Sequence, residues 1–175
     1  MTGLGMLVGG FLVVIADLRF DGFDVISDPV GWMFVLVGLA GLTRLHPGFT
    51  VAALSSVVGL VLSVGSVTAP PGALLGTLES VAMTGVVFGT CTAILALSAA
   101  ERDRRAAQVI RWIDLALTAV GLVAFTAVDG GQVQVHSDLA PVVVVLAVTA
   151  FAVGIWFLVL AWRVRREPAY APGRR

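Results

Sequence analysis

The sequence contains few charged residues and lacks some residue types altogether. Charged residues make up 13% of the 175 residues, against about 25% in soluble domains. Neither lysine nor asparagine occurs, so every basic residue is arginine and N-linked glycosylation is excluded. The single cysteine, Cys91, cannot form a disulfide within these residues. A formal net charge of +0 gives no general attraction to nucleic acid, so no nucleic-acid partner is expected.

Apolar residues are what the sequence has in excess, at 58% of the chain with a mean hydropathy of +1.00. In hydrocarbon each spanning segment must pair its own backbone polar groups, and the apolar runs lack the alternation of a β-barrel. We therefore predict an all-α, polytopic transmembrane bundle of six helices. Residues 1–166 form its single domain, followed by a short cytoplasmic tail over 167–175. The six runs lie at about 4–20, 30–43, 50–68, 73–98, 110–128 and 139–162.

The arginine positions predict the orientation of these helices. Cytoplasmic loops carry the positive excess, so we expect both termini inside and three helical hairpins, at about 1–46, 47–105 and 106–166. Of the arginines, only Arg19 would then lie outside. We expect a multi-pass protein of a bacterial cell membrane. Two clusters would fix the topology and contact lipid headgroups, namely Arg102, Arg104 and Arg105, and Arg163, Arg165 and Arg166.

Acidic residues are concentrated between the first and second apolar runs. Asp17, Asp21 and Asp24 could form an acidic mouth that attracts a cation or proton, because carboxylate oxygens favour cations. The alternative is local structure, since such residues commonly cap helices and form turns. We assign Asp28, which a proline follows, and Asp138 to helix caps.

The segment from Asp17 to Trp32 also resembles a known pattern. It is similar to Asp-(Ile/Leu)-Arg-x-x-Gly-Phe-Asp-(Ile/Leu)-x-x-Asp-Pro-x-Gly-(Trp/Tyr), with Val25 as a mild departure. This stretch occurs in uncharacterised small multi-pass membrane proteins of actinobacteria and other Gram-positive bacteria. The resemblance covers only the first hairpin, and it implies a location in the cell membrane without implying an activity.

Three further acidic residues fall inside or beside the apolar runs. Glu79 lies in the fourth run, where an ionisable side chain points to a cation or proton site. The alternatives are a headgroup position or an ion pair with Arg19. Asp114 follows Arg111 by three residues, a spacing that predicts an ion pair on one helix face. Glu101 and Arg105 have the spacing of a similar pair, on an extension of the fourth helix.

Motifs for catalysis and for metal or cofactor binding are missing from the sequence. No paired metal-ligand spacing, nucleophile motif or phosphate-binding loop occurs, so we expect neither an enzyme, a resident metal nor a cofactor. The first functional hypothesis is a small cation- or proton-linked transporter or channel. The alternative is a non-catalytic subunit or scaffold, which docks a membrane partner or a second copy of itself. Trp32, Trp112 and Trp162 are expected at the membrane interfaces.

Overall fold

The computed structural model describes residues 3–16, 19–20, 23–24, 28–68, 73–127 and 140–170. These residues form six α-helices, as the sequence predicts. A two-residue antiparallel pairing between β1 (Arg19–Phe20) and β2 (Phe23–Asp24) separates the first two helices. The helices are α1 (Gly3–Ala16), α2 (Asp28–Ala40), α3 (Pro47–Thr68), α4 (Ala73–Leu97), α5 (Glu101–Ala127) and α6 (Ala140–Val164), and a 3₁₀ turn (Pro168–Tyr170) follows them.

Four of the six helices are long and apolar enough to cross a membrane. Their spanning segments are 47–65, 74–97, 101–125 and 141–164. The apolar segments of α1 and α2 are shorter, at 3–14 and 29–40. With a rise of about 1.5 Å per residue, each falls short of the roughly 30 Å thickness of the hydrocarbon core. Membrane character is therefore established for the bundle, with α1 and α2 as its two short members.

The helices are arranged as a ring in chain order. Each helix packs against the next, and α6 returns to contact α1. The pairs α1–α2 and α3–α4 pack extensively, as two of the predicted hairpins. The third pair, α5–α6, is looser, and α5 makes more of its contacts with α4. The ring is thus least tightly closed beside α6.

Glycines set the close approach of α1 and α2. A Cβ on Gly10 would lie 2.6 Å from the Gly31 carbonyl oxygen. A Cβ on Gly38 would lie 2.5 Å from the Gly3 carbonyl oxygen. Both glycines of each helix are seven residues apart, or about two turns, so they lie along one face. In lipid, where apolar surface gives no drive for association, small residues let backbones approach and gain van der Waals contact.

Trp32 is buried inside the bundle, whereas a tryptophan of an interfacial belt is expected to be exposed. Its side chain is 2% exposed. A Cβ on Gly59 of α3 would lie 2.6 Å from the indole ring, so the missing side chain makes room for the tryptophan. Trp112 and Trp162 remain about half exposed, at 52% and 49%. The hydropathy pattern could not distinguish these cases, because the accommodating glycine lies on another helix.

The charged segment after α4 begins α5 and does not extend α4. Ser98, Ala99 and Ala100 interrupt the helix, and the Ala100 carbonyl accepts hydrogen bonds from the backbone N–H groups of Asp103 and Arg104. Acidic residues in the first turn favour a helix start through the helix dipole. The expected Glu101–Arg105 pair is present on the exposed face, with an N–O distance of 2.5 Å.

One end of the bundle gathers both arginine clusters, and we call it the arginine end. It contains the α2–α3 and α4–α5 connections and the C-terminus of α6. Asp103 of α5, whose side chain is buried, forms an ion pair with Arg163 of α6. The Glu167 carboxylate accepts hydrogen bonds from the Ser98 hydroxyl (2.8 Å) and the Ala99 N–H (3.3 Å).

The chain packs against the bundle beyond Arg166. The Tyr170 ring is 2% exposed and meets the ring of Phe49 edge-on, with centroids 6.2 Å apart. Phe49 lies in the first turn of α3, where His46 precedes the helix and accepts a hydrogen bond from the Gly48 N–H at 3.0 Å. Residues 167–170 therefore fasten the end of α6 to the beginning of α3.

Candidate functional site

A cavity of about 620 Å³ lies between α4, α5 and α6, with Phe11 of α1 on its wall. This size falls within the range of pockets that bind small molecules. Most of its lining is apolar or small, and its polar groups come from α4 and α5. The lining residues are Phe11, Gly76, Thr77, Ser80, Val81, Met83, Thr84, Val87, Asp114, Leu117, Thr118, Gly121, Leu122, Ala147, Ala150, Phe151 and Gly154.

Helical spacing explains how the polar groups converge. Thr77, Ser80 and Thr84 recur at intervals of three and four residues, which places them on one face of α4. Asp114 and Thr118 are four residues apart on α5 and face them. Gly121 continues the α5 face, and a Cβ there would meet nothing within 4 Å. The missing side chain leaves this part of the cavity open.

Asp114 is the charged residue of the cavity and the middle residue of α5. Its Oδ2 atom is shielded from solvent and has no hydrogen-bond partner among the described residues. Thr84 of α4 donates a hydrogen bond to the carboxylate. The Thr84 and Thr118 hydroxyl oxygens are 2.5 Å apart. Because a hydroxyl has one proton to give, Thr118 then donates to Thr84, and the two threonines hold the carboxylate from one side.

The expected ion pair between Arg111 and Asp114 is not formed. The Arg111 guanidinium lies against the rings of Phe88 and Trp112, with centroid distances of 5.1 and 5.2 Å. It donates a hydrogen bond to the Thr92 hydroxyl at 3.3 Å. This places the guanidinium towards the arginine end, as expected of a long cationic side chain that extends out of an apolar layer. Asp114 is therefore left without the neighbouring positive charge.

The acidic residues predicted for the cation site do not line the cavity. Asp17 and Asp21, like the predicted cap Asp138, lie outside the described residues, and their assignments stay predictions. For Asp24 the structure describes only the backbone, in the β1–β2 pairing. Asp28 is the first residue of α2, and its side chain is likewise outside the description. The outer-mouth hypothesis is therefore untested.

Glu79 lies on α4 and is half-buried. It is about two turns from the start of the helix, and its Oε1 atom is shielded from solvent. Thr77 and Ser80, which are close to Glu79 in sequence but share another face of α4, line the cavity, whereas Glu79 does not. Asp114, and not Glu79, is therefore the carboxylate on the wall of the cavity.

The two arginine clusters meet at the arginine end, but only some of their members converge. Arg102, Arg105 and Arg163 line a second, smaller pocket between α5 and α6. Arg165 instead lies over the Trp162 ring, 3.3 Å from its centroid, and donates a hydrogen bond to the Trp162 carbonyl at 3.1 Å. Arg104 and Arg166 are exposed and do not line this pocket.

The sequence predicts an ion pair between Asp114 and Arg111 because the two residues have the spacing of neighbours on one helix face. The sequence pattern that could have identified Asp114 as a cavity residue involves two helices. Both α4 and α5 carry a polar stripe within an apolar run, with Thr77, Ser80 and Thr84 on one and Asp114 and Thr118 on the other. Polar stripes on consecutive membrane helices indicate a shared interior surface.

Neither a metal site nor a similarity to a known protein indicates what the cavity binds. Among the described residues, no group of three or more His, Cys, Asp or Glu side chains could hold a metal ion. Comparisons with protein families, with curated proteins and with solved structures find no match to this chain. The chemistry of the site therefore rests on its own geometry.

Proposed function

We propose that the protein is a multi-pass membrane protein that binds a small organic cation in the α4–α5–α6 cavity, as a transporter or channel-like protein would. Asp114 would supply the counter-charge. Thr84 and Thr118 would hold its carboxylate, and the apolar walls would cover the rest of the ligand. The observation that carries this proposal is the shielded Oδ2 atom of Asp114, which has no partner and lies on the wall of the cavity.

The energetics of membrane burial support a cationic ligand. An ionised carboxylate at the centre of a membrane helix costs about 2.5–3.5 kcal/mol on insertion scales. A bound cation offsets that cost through its charge, and a proton does so when the site is empty. The guanidinium of Arg111, the basic residue nearest to Asp114 in sequence, contacts Phe88 and Trp112 and does not supply the charge.

The composition of the cavity favours an organic cation over a metal ion. Hard divalent cations take about six to eight oxygen ligands, usually with several carboxylates. The cavity offers one carboxylate with four hydroxyl side chains, those of Thr77, Ser80, Thr84 and Thr118. Its remaining walls are apolar, and Met83 and Phe151 suit the hydrophobic groups of a lipophilic cation.

The test is equilibrium binding of tetraphenylphosphonium to the purified protein in a neutral detergent. We expect saturable binding, and we expect Asp114→Asn to weaken it at least about tenfold, or 1.4 kcal/mol. Glu101→Gln is the matched control, because Glu101 is an exposed carboxylate at the start of the same helix. Binding should also weaken as the pH falls, since protonation removes the charge of the carboxylate.

A second variant tests the cavity without changing a charge. Gly121→Leu should block binding by filling open space, whereas Gly9→Leu should not, although a Cβ on either glycine meets nothing within 4 Å. Gly9 lies on α1 and outside the cavity lining. Equal affinities for the wild type, Asp114→Asn and Gly121→Leu would refute the proposal.

A second candidate function is that of a membrane subunit or scaffold. Half of the spanning segment of α4 is buried within the chain. The buried share of the spanning segment is only 6% for α5 and 17% for α6. These two helices therefore offer the largest surface for a protein partner or a second copy. Native mass spectrometry of the protein extracted gently from its host membrane tests this candidate, because a stoichiometric partner would support it and a lone monomer would refute it.

We also propose six membrane crossings with both termini in the cytoplasm of a bacterium. The gathering of both arginine clusters at one end supports this orientation. The resemblance of residues 17–32 to bacterial membrane proteins supports only the location in a bacterial membrane. A cysteine introduced by Ser137→Cys in a Cys91→Ala background should react with an impermeant reagent in intact cells. Labelling only after lysis would refute the orientation.

A further inference from the structure

The second pocket, between α5 and α6 at the arginine end, has a volume of about 320 Å³. It is lined by Arg102, Arg105, Ala106, Val109, Trp156 and Arg163. Two of the arginines come from the cluster that begins α5, and the third comes from the cluster that ends α6. The fold thus combines members of two separate sequence clusters in one place.

The charge balance of this pocket is positive. Arg163 is held by the buried Asp103, and Arg105 by the exposed Glu101. Arg102 has no ion pair among the described residues. Each guanidinium carries five N–H donors in a planar fork, so an arginine with one carboxylate partner still has donors for a phosphate. Asp103 also fixes the position of Arg163, which lowers the entropic cost of binding an anion.

Apolar groups lie on the membrane side of the arginines. Val109 is seven residues beyond Arg102 on α5, or about 10 Å along the helix axis. Trp156 is seven residues before Arg163 on α6 and extends the pocket in the same direction. Their side chains are 43% and 42% exposed, at the seam where α5 and α6 pack loosely.

We propose that this pocket binds one anionic phospholipid, with its phosphate at Arg102, Arg105 and Arg163 and an acyl chain along Val109 and Trp156. The pocket offers one region for the headgroup and one for the acyl chain of such a lipid, in the order in which the lipid carries them. The cationic part lies at the arginine end, and the apolar part extends towards the membrane core. A free phosphate would use only the first part and would leave Trp156 and Val109 without a role.

The inference does not depend on cation binding, because no residue of this pocket lines the larger cavity. Native mass spectrometry of the protein with added phosphatidylglycerol or phosphatidylcholine tests it directly. We expect one tightly held phosphatidylglycerol and at least about tenfold weaker binding of phosphatidylcholine. The double variant Arg102→Gln/Arg105→Gln should lower the phosphatidylglycerol affinity at least about tenfold. It spares Arg163 and hence the ion pair with Asp103.

The matched control is Arg104→Gln/Arg166→Gln, which removes the same charge from exposed positions outside the pocket. Its affinity for phosphatidylglycerol should equal that of the wild type. Equal losses in the two double variants would overturn the site in favour of a general charge effect. Displacement of the lipid by an equal concentration of inorganic phosphate would overturn the assignment to a lipid.

Discussion

The hydroxyl oxygens of Thr84 on α4 and Thr118 on α5 are 2.5 Å apart, and this contact joins the two helices beside Asp114. A chain of donors runs from Thr118 to Thr84 and from Thr84 to the Asp114 carboxylate. The free oxygen of that carboxylate is left for a ligand. The relationship makes the site a property of the α4–α5 interface and not of one helix.

Removing these hydroxyls should weaken cation binding in a graded order. Thr84→Val removes a hydrogen bond to a charged group, for which we expect about a tenfold or greater loss of tetraphenylphosphonium affinity. Thr118→Val removes only the supporting neutral bond and should cost less, about two- to tenfold. Equilibrium binding measures both.

Thr149→Val is the control for this series, because the Thr149 hydroxyl donates to the Val145 carbonyl of its own helix. It should bind as the wild type does. If Thr118→Val proves as harmful as Thr84→Val, or if neither has an effect, the proposed order of donors is wrong.

Adjacent glycines on α1 should differ sharply in their tolerance of a methyl group. A Cβ on Gly10 would lie 2.6 Å from both the Gly31 carbonyl oxygen and the Val35 backbone nitrogen, whereas a Cβ on Gly9 would meet nothing within 4 Å. Backbone atoms cannot move aside cheaply, so Gly10→Ala should lower stability by about 1–3 kcal/mol. Gly9→Ala should leave it unchanged or raise it by roughly 0.5–1 kcal/mol. The midpoint of thermal unfolding in detergent is the measurement, and similar midpoints would refute the close α1–α2 approach.

Helix number and class could be predicted from the sequence because they depend on long apolar runs, which composition reveals directly. The expectation that both arginine clusters lie at one end of the bundle followed from the same runs. Boundaries were harder, since α5 begins at Glu101 within a charged segment that the sequence instead placed on an extension of α4. There the helix dipole and the Ala100 carbonyl determine the start.

The candidate site was missed, because it depends on which faces of different helices meet and spacing within one helix does not show this. The burial of Trp32 requires Gly59 on α3, and the cavity at Asp114 requires Thr84 on α4. Local spacing instead favoured the nearest partner, Arg111. Pairing rules within a helix hold only when no neighbouring helix offers the side chain a better environment.

Tyr170 should limit the alkaline stability of the arginine end. Burial, with a further contribution from Glu167, raises the pKa of Tyr170 above its ordinary value of 10.0. The folded state then favours the neutral phenol. Its contribution to stability is fully present below pH 10.0 and is lost as the pH rises from there towards the higher folded-state pKa.

Tyr170→Phe should therefore reduce the loss of stability above pH 10.0. At neutral pH it should cost nothing, because the part of the chain that the structure describes offers the buried Tyr170 hydroxyl no hydrogen-bond partner. Tyr170→Ala should be destabilising, since it removes the edge-on contact with Phe49. Tyr170 is the chain's only tyrosine, so tyrosinate absorbance reports it alone. Titration of the folded protein at the ordinary pKa would contradict the burial.

The central claim, that Asp114 is the charged group of a cation site within the membrane, is tested most directly by infrared difference spectroscopy with and without tetraphenylphosphonium. We predict a change in a carboxyl band that is absent in Asp114→Asn and retained in Glu79→Gln. A band that persists in Asp114→Asn and disappears in Glu79→Gln would contradict the account and move the site to Glu79.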